Sequence, residues 1–453
     1  MSFDSQSLRL LGDALKVLEG GFSSLPQCGA VADCAAMAEV LREVASRLHD
    51  NYPYHHPFYI GQMLKPPHPV ARLAYALAMW INPNNHALDG GRASSAMEKE
   101  AVAEIARMFG WKEHLGHLCG GGTMANFEAL WVSRQLHPGK GIAVSEQAHY
   151  THARLSAVLR TPLVKVPADG CGRMDPEQLE AVVKSGAIGT VVATLGSTAV
   201  GAVDPLPAIL KLRERYGFRV HVDAAYGGYF KLAGNLGANA EAAFQRIGEA
   251  DSIVVDPHKH GLQPYGCGCV LFKNPEVGRI YQHDSPYTYF TSDELHLGEI
   301  SLECSRPGAA AVGLWATLRL LPLATGGEFA RMLEMCREAA LDLYDHLQQD
   351  RRFAPLFPPE LDIVAWAVRS PSARQSTRLA RRVFDAAAER DVHLALATLP
   401  KAMIEASAPV DVWDDDKITC LRACAMKAEH RQWMPEIVAR LGDAADAALG
   451  PGK

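Results

Sequence analysis

Residues 251–260 read DSIVVDPHKH and carry the first candidate for chemistry. An apolar, β-branched run ends at Pro257 and is followed by His258 and Lys259, which is typical of a buried strand that ends at the floor of a pocket. Burial there favours the neutral amine of a lysine, the form that attacks aldehydes. Lys259 is therefore a candidate Schiff-base lysine, although the decapeptide alone is equally consistent with an ordinary surface lysine.

Three further groups could serve a ligand held by such a lysine. The sequence GGGT at 120–123 opens a helix, so its free N–H groups and hydroxyl could bind a phosphate, although it is neither a P-loop nor a GxGxxG fingerprint. His149 ends the strand-like run AVSEQAH and could lie flat over an aromatic ring. Asp223 ends FRVHVD, where a buried carboxylate requires a cation. Each group alone is more typical of a structural role.

Taken together, these groups fit one cofactor. Pyridoxal phosphate (PLP) needs an anion site for its phosphate, a surface against its ring, a carboxylate that keeps its ring nitrogen protonated, and a lysine for its aldehyde. Thr123, His149, Asp223 and Lys259 supply these groups in chain order. The combination predicts a PLP site in which protonation of the ring nitrogen by Asp223 makes the ring an electron sink.

The elements that must position these residues alternate between strands and helices from residue 114 to 275, which predicts an α/β layer around a mostly parallel sheet. Each candidate residue follows the C-terminal end of a predicted strand, where open α/β sheets bind their ligands. The run GCGCVLF at 266–272 predicts an antiparallel neighbour of the strand that precedes Lys259.

The rest of the chain predicts two further parts. Residues 1–50 read as amphipathic helices that can hardly form a core alone, so they should pack on the body or on another subunit. The strand-like runs ELDIVAWAVR, VHLALATL and KITCLRACAM predict a smaller C-terminal α+β domain. We therefore expect an N-terminal helical segment at 1–75, a large PLP-binding domain at 76–325 and a small domain at 326–453.

Composition narrows the classes of partner. A net charge of −6 gives no electrostatic footprint for nucleic acid or for an anionic membrane, and no stretch approaches 18 uncharged apolar residues. The N-terminus lacks the pattern of a signal peptide, and the ten cysteines show no paired metal spacing. We expect a cytoplasmic protein with reduced thiols, without a bound metal, that acts on a small molecule.

The motifs HVDAAYGGY and DPHKHG, with SEQAH and GGGTMANFEAL upstream, resemble the group II PLP-dependent amino-acid decarboxylases. That family includes aromatic-amino-acid, tyrosine, glutamate and histidine decarboxylases of fold type I. The resemblance implies a seven-stranded, mostly parallel sheet, a homodimer with a shared active site, and release of carbon dioxide from an L-amino acid. It also assigns cofactor contacts: Lys259 as the Schiff-base lysine, Asp223 at the ring nitrogen, His149 and Ala225 on the two ring faces, Thr194 near the 3′-oxygen, and Gly122, Thr123 and His258 at the phosphate.

The same resemblance implies which residue donates the proton that replaces carbon dioxide on the substrate. In the family a loop tyrosine closes over the substrate and protonates the carbanion. The matching stretch is HDSPYTYF, in which Tyr287 aligns better than Tyr289. A tyrosine at this position favours simple decarboxylation over oxidative side chemistry.

The choice of substrate is less determined. His56 and Phe58, in the proline-rich stretch 51–70, could stack on an aromatic amino acid, and Arg422 could bind the substrate carboxylate. We therefore expect an aromatic substrate such as tyrosine or tryptophan. Glutamate or aspartate is the alternative, because Arg92, His56 and His86 could bind a second carboxylate. Another PLP carbon–carbon lyase and a non-catalytic α/β binding protein are the remaining alternatives.

Overall fold

The structure is a computed structural model that describes residues 5–26, 33–282, 295–407 and 410–450. Fourteen α-helices lie within these ranges, and in chain order they are α1 Ser5–Gly20, α2 Cys34–Leu48, α3 Pro69–Met79, α4 Leu88–Met108, α5 Gly122–Leu136, α6 Thr151–Val158, α7 Pro176–Val183, α8 Leu206–Tyr216, α9 Ala238–Gln245, α10 Gly308–Leu320, α11 Glu328–Gln349, α12 Ala373–Ala388, α13 Lys401–Ile404 and α14 His430–Leu449. None of them is long and apolar enough to span a bilayer.

The strands fall into a large group and a small group. The first seven are β1 Leu115–Cys119, β2 Gly141–Ser145, β3 Leu163–Val166, β4 Ile188–Thr194, β5 Arg219–Asp223, β6 Ser252–Val255 and β7 Gly268–Phe272. The next six are β8 Phe353–Pro355, β9 Ile363–Val368, β10 Ser370–Ser372, β11 Ala395–Pro400, β12 Val410–Val412 and β13 Lys417–Cys424.

The first group forms one seven-stranded sheet in the order β1-β7-β6-β5-β4-β2-β3. Its strands β3, β2, β4, β5 and β6 run parallel, as their buried β-branched runs predict. Thr194 and Asp223 are cross-strand partners, so the last residues of β4 and β5 lie side by side. The predicted fold class, α/β of fold type I with a mostly parallel seven-stranded sheet, is confirmed.

Strand β7 is the antiparallel member, paired with β6 on one side and β1 on the other. Its first residue, Gly268, lies against the glycine turn that follows β1. A Cβ on Gly268 would lie 2.5 Å from the Cα of Gly121, so only glycine permits this approach. The GCGC run therefore has a packing role beneath the glycine turn.

Four strands of the second group form an antiparallel sheet, β11-β13-β9-β8, in the C-terminal region, and the other two, β10 and β12, pair in parallel. Helix α11 packs into both cores: Phe329 and Leu333 belong to the core of the large sheet, whereas Leu343 and Leu347 belong to the core of the small one. The strands and helices expected of a small α+β domain are present in this region, and the domain boundaries after residues 75 and 325 stay predictions.

Helix α2 has an apolar face that nothing in the described chain covers. Its exposed side chains recur at helical spacing and are between 45% and 65% exposed: Met37, Val40, Leu41, Val44 and Leu48. Helix α1 likewise has no buried residue. An apolar stripe of this kind marks a contact surface.

Candidate active site

A cavity of about 720 Å³ opens where β1, β2, β4, β5 and β6 end. Its size is that of a site for a cofactor with a small substrate. All eight residues expected to contact the cofactor line it: Gly122, Thr123, His149, Thr194, Asp223, Ala225, His258 and Lys259. Met124, Phe127, Leu155 and Tyr265 add apolar wall. The structure therefore brings together side chains spread over 138 positions of sequence, because parallel strands end at one edge.

The glycine turn presents the start of α5 to the cavity. Gly121 precedes the helix with a φ of +144°, and no side chain caps the first N–H groups. A Cβ on Gly122 would lie 2.7 Å from Oδ2 of Asp256, so the turn has no room for a side chain. Gly120 N–H donates to Glu303 at 3.0 Å, which leaves the N–H groups at the helix start for an anion.

Lys259 follows the strand β6 and pairs with Asp256 of its own segment. Its Nζ is 3.0 Å from Oδ2 of the buried Asp256, and Nε2 of His258 is 3.5 Å from the same oxygen. His258 Nδ1 is 2.8 Å from the Cys267 carbonyl, so it donates there. Burial lowers the pKa of His258, which indicates a neutral ring with Nε2 as an acceptor.

Asp223 has two hydrogen-bond donors. Nε2 of His152 is 2.8 Å from Oδ2, and the Ala225 N–H donates to Oδ1 at 3.1 Å. Burial raises the pKa of this carboxyl, but the hydrogen bond from His152 and the nearby positive charge, that of Lys259 included, outweigh burial and hold the pKa well below its ordinary value. Asp223 is therefore an anion in a buried position, as a partner for a protonated ring nitrogen must be.

The cavity wall between β2 and β4 carries His149 and Thr194. His149 Nδ1 is 2.6 Å from Thr151 Oγ1, which fixes the ring, and burial lowers the pKa of His149. Thr194 Oγ1 is buried and has no partner in the described chain. A hydroxyl in that state is suited to bind a ligand oxygen.

The expected substrate residues lie elsewhere. Phe58 is buried in the core of the small sheet, with its ring 5.3 Å from that of Trp433. His56 packs on the same tryptophan, 5.1 Å between ring centroids, and its Nδ1 accepts the Phe58 N–H. Neither lines the cavity, because the backbone of Ile60 pairs with His393 and Cys424 in the C-terminal region.

Arg422 lies in β13 and also does not line the cavity. It is 3% exposed, its Nη1 donates to Gln62 at 3.3 Å, and its Nε and Nη2 have no partner in the described residues. Tyr287 and Tyr289 lie outside the residues that the structure describes, so the loop proton donor stays a prediction.

Sequence reasoning missed His152 and the structural partners of the lysine segment. His152 follows His149 by three residues at the start of α6, and that helical spacing was the available signal. Tyr226 lines the cavity and donates to Asp362 at 2.7 Å, while His260 Nε2 is 3.1 Å from the other oxygen of that carboxylate. No group of three or more potential metal ligands occurs in the described ranges.

The sequence profile described as "Pyridoxal-dependent decarboxylase conserved domain" matches residues 131–369, more than half of the chain. The chain belongs to this family. A tyrosine decarboxylase of Enterococcus faecium is 29% identical, with 74% of this chain and 72% of that protein covered. An L-aspartate decarboxylase of Thermococcus kodakarensis is also 29% identical, over 63% of this chain and 74% of the relative.

Solved structures agree on the fold. A structure of Oryza sativa TDC with PLP and tryptamine has a TM-score of 0.77 at 16% identity and covers 99% of both chains. Mouse CSAD in apo form has a TM-score of 0.76 at 20% identity, with 94% of this chain and 92% of that chain covered. As a member of the decarboxylase family the chain is a PLP-dependent enzyme, which confirms the predicted family, enzyme class and cofactor.

The residues in the cavity fit that cofactor. The uncapped helix start suits its phosphate, the buried anion Asp223 suits a protonated ring nitrogen, and the unpartnered Thr194 hydroxyl suits a ring oxygen. His149 and Ala225 lie in the same cavity wall as these groups. The cavity therefore offers PLP a suitable group for its phosphate, for its ring nitrogen and for its ring oxygen.

Proposed function

We propose that the enzyme removes carbon dioxide from an aromatic L-amino acid, such as tyrosine or tryptophan, and releases the amine. The observation that carries the proposal is the placement of Lys259 and the anionic Asp223 in one cavity with apolar walls. Phe127, Leu155 and Tyr265 give those walls aromatic and aliphatic surface. The relatives named L-tyrosine decarboxylase support the same choice.

Each cavity residue has a proposed task. Lys259 would hold PLP through its aldehyde, and Asp223 would keep the ring nitrogen protonated. His149 and Ala225 would contact the ring, and Thr194 would bind its 3′-oxygen. The helix start at Gly122 and Thr123, with His258, would hold the phosphate.

When bound, PLP supplies an electron sink for the electron pair left on Cα as carbon dioxide leaves. Tyr287, or Tyr289 in its place, returns a proton to Cα. We assign the substrate carboxylate to Arg422, which is buried and has two N–H donors, at Nε and Nη2, without a partner in the described residues. The balance of the reaction is one amino acid to one amine and one carbon dioxide.

An acidic amino acid is the second candidate. Relatives named L-aspartate decarboxylase, from archaea, match the chain at similar identity. The aromatic choice no longer draws support from His56 and Phe58, because both rings pack inside the small domain. The acidic choice would need a second cation besides Arg422, and Arg92 is exposed at the start of α4.

We also propose that the enzyme is a cytoplasmic homodimer. The uncovered apolar face of α2 supports a second copy as its partner, because an obligate dimer buries such faces and a soluble monomer rarely exposes them. Division of the chain at 75/76 and 325/326 is part of the same proposal.

The test is an amino-acid panel read out as carbon dioxide release. The enzyme with PLP is assayed with L-tyrosine, L-tryptophan, L-aspartate and L-glutamate, and Lys259→Ala is the control. We expect release with an aromatic amino acid, formation of its amine, visible absorbance that borohydride bleaches, and loss of all three in Lys259→Ala. Release only from the acidic amino acids selects the second candidate. Cleavage of a phosphorylated amino alcohol without carbon dioxide would refute both.

A further inference from the structure

His152 contacts the carboxylate on which the cofactor site depends. Its Nε2 lies 2.8 Å from Oδ2 of Asp223, and the two side chains are 1% and 6% exposed. The contact joins α6 to β5, since His152 is the second residue of α6, which begins two residues after His149. His152 does not line the cavity, so it meets a ligand only through Asp223.

The surroundings of His152 indicate which proton it carries. Its Nδ1 is buried and has no partner in the described part of the chain. A neutral ring with the proton on Nε2 satisfies the bond to Asp223 and leaves only an acceptor unpaired, whereas a cation would also bury an unsatisfied N–H. His152 therefore donates a hydrogen bond without neutralising the carboxylate.

Asp223 is thus held at both oxygens. His152 donates to Oδ2 and the Ala225 N–H donates to Oδ1, and each oxygen keeps a lone pair for a further donor. Two donors on opposite oxygens fix the plane of the carboxylate. Without His152, Oδ2 would be buried with no donor among the residues that the structure describes, and the carboxylate could rotate or take up a proton.

We propose that His152 is a positioning residue, a neutral donor that keeps Asp223 ionised and aimed at the ring nitrogen of PLP. The proposal rests on the proposed role of Asp223. It predicts that His152 affects only ligands that have a ring nitrogen. A residue that merely filled space in α6 would affect every ligand of the cavity alike.

The test compares two ligands on the same proteins. Apoenzyme is titrated with PLP and with its 1-deaza analogue, in which CH replaces the ring nitrogen, and the two dissociation constants are measured for wild type, His152→Leu and His152→Gln. We expect His152→Leu to weaken PLP binding roughly tenfold or more, as for loss of a hydrogen bond to a charged group. Binding of the analogue should stay unchanged, and His152→Gln, which keeps a donor, should retain most of the PLP affinity.

The matched control is His430→Leu, which removes another buried histidine that does not line the cavity and should leave both constants unchanged. If His152→Leu does not fold, His152→Asn takes its place, since its shorter side chain does not reach Asp223. Equal weakening for both ligands, or no weakening for either, would overturn the proposal. Wild-type apoenzyme that binds the analogue but not PLP would instead refute the role of Asp223 on which the proposal rests.

Discussion

At the scale of single residues, Arg422 is a buried cation without a carboxylate partner in the described chain. Burial of an unpaired charge is costly, so such a residue is kept where a ligand completes its hydrogen bonds. Burial raises the pKa of the phenol of the cavity residue Tyr226, and the charge of Arg422 acts in the opposite direction. A substrate carboxylate would fill the vacant donors.

We therefore expect Arg422→Gln to raise KM for the amino acid by roughly tenfold or more, because it removes a charge-assisted contact made before the reaction step. Arg422→Lys should recover part of the loss. Steady-state kinetics with the substrate found in the panel checks this, with the surface variant Arg431→Gln as the control. A KM equal to that of wild type would remove Arg422 from the site.

His430 is a residue whose effect is on stability. Burial, and then the charge of Lys427, lowers the pKa of its imidazole to about 3, so the folded state does not bind the proton that the unfolded chain takes up below its ordinary pKa of 6.5. Since the unfolded state binds more protons, stability falls as the pH drops from 6.5 toward 3.

Between pH 7 and pH 5 this single residue should cost the fold about 2 kcal/mol of unfolding free energy. His430→Leu removes the titration, so urea unfolding at the two pH values should show a correspondingly smaller loss in the variant than in wild type. His55→Leu, in an exposed position, serves as the comparison. Identical losses in wild type and His430→Leu would contradict the expected burial of a neutral ring.

At the scale of elements, the start of α5 is built by glycine. Gly122→Ala places a Cβ 2.7 Å from Asp256 and 3.3 Å from the Ala225 side chain, so the turn and the lysine segment must move apart. We expect this variant to bind PLP more weakly by about tenfold or more, as for loss of one or two hydrogen bonds to a charged group. Equilibrium titration of apoenzyme with PLP provides the measurement.

Gly442→Ala is the matched control, because it lies in α14 with nothing within 4 Å of the new Cβ. Helix propensity alone should then stabilise the protein by up to about 1 kcal/mol. PLP affinity of this variant should equal that of wild type. If both alanines left PLP binding intact, the glycine turn would not be the phosphate site.

The elements also show how far the sequence predicts the site. Polar residues that follow apolar, β-branched runs were expected at one sheet edge, and Lys259, Asp223 and His149 lie there because parallel strands share that edge. The loop 51–70 was expected at the substrate, but aromatic side chains do not specify which surface they cover, and Phe58 packs beside Trp433. His152 was not predicted because the sequence around a single histidine in a helix does not show which residue that histidine contacts.

At the scale of the whole molecule, the apolar face of α2 predicts the state of assembly. Leu41→Glu combined with Val44→Glu puts two charges on that face, so an interface formed there should separate. We expect wild type to sediment with twice the mass of one chain and the variant to sediment as a monomer. Arg42→Glu, on the same helix but outside the stripe, controls for the added charge.

Sedimentation of wild type as a monomer would refute the dimer, and an intact dimer in the double variant would place its interface elsewhere. Activity of the separated chains adds a second readout. A site shared between subunits should lose carbon dioxide release on dissociation, whereas a site complete in one chain should keep it.

Helix α11 has a consequence for anyone who wishes to cut the protein into parts. Phe329 and Leu333 belong to the large core, whereas Leu343 and Leu347 belong to the small one. A break after residue 325 would therefore remove Phe329 and Leu333 from the large core and expose them on the C-terminal fragment. Neither fragment would then be a self-contained module. Because both cores include side chains of α11, we expect them to unfold together in a calorimeter as a single cooperative unit.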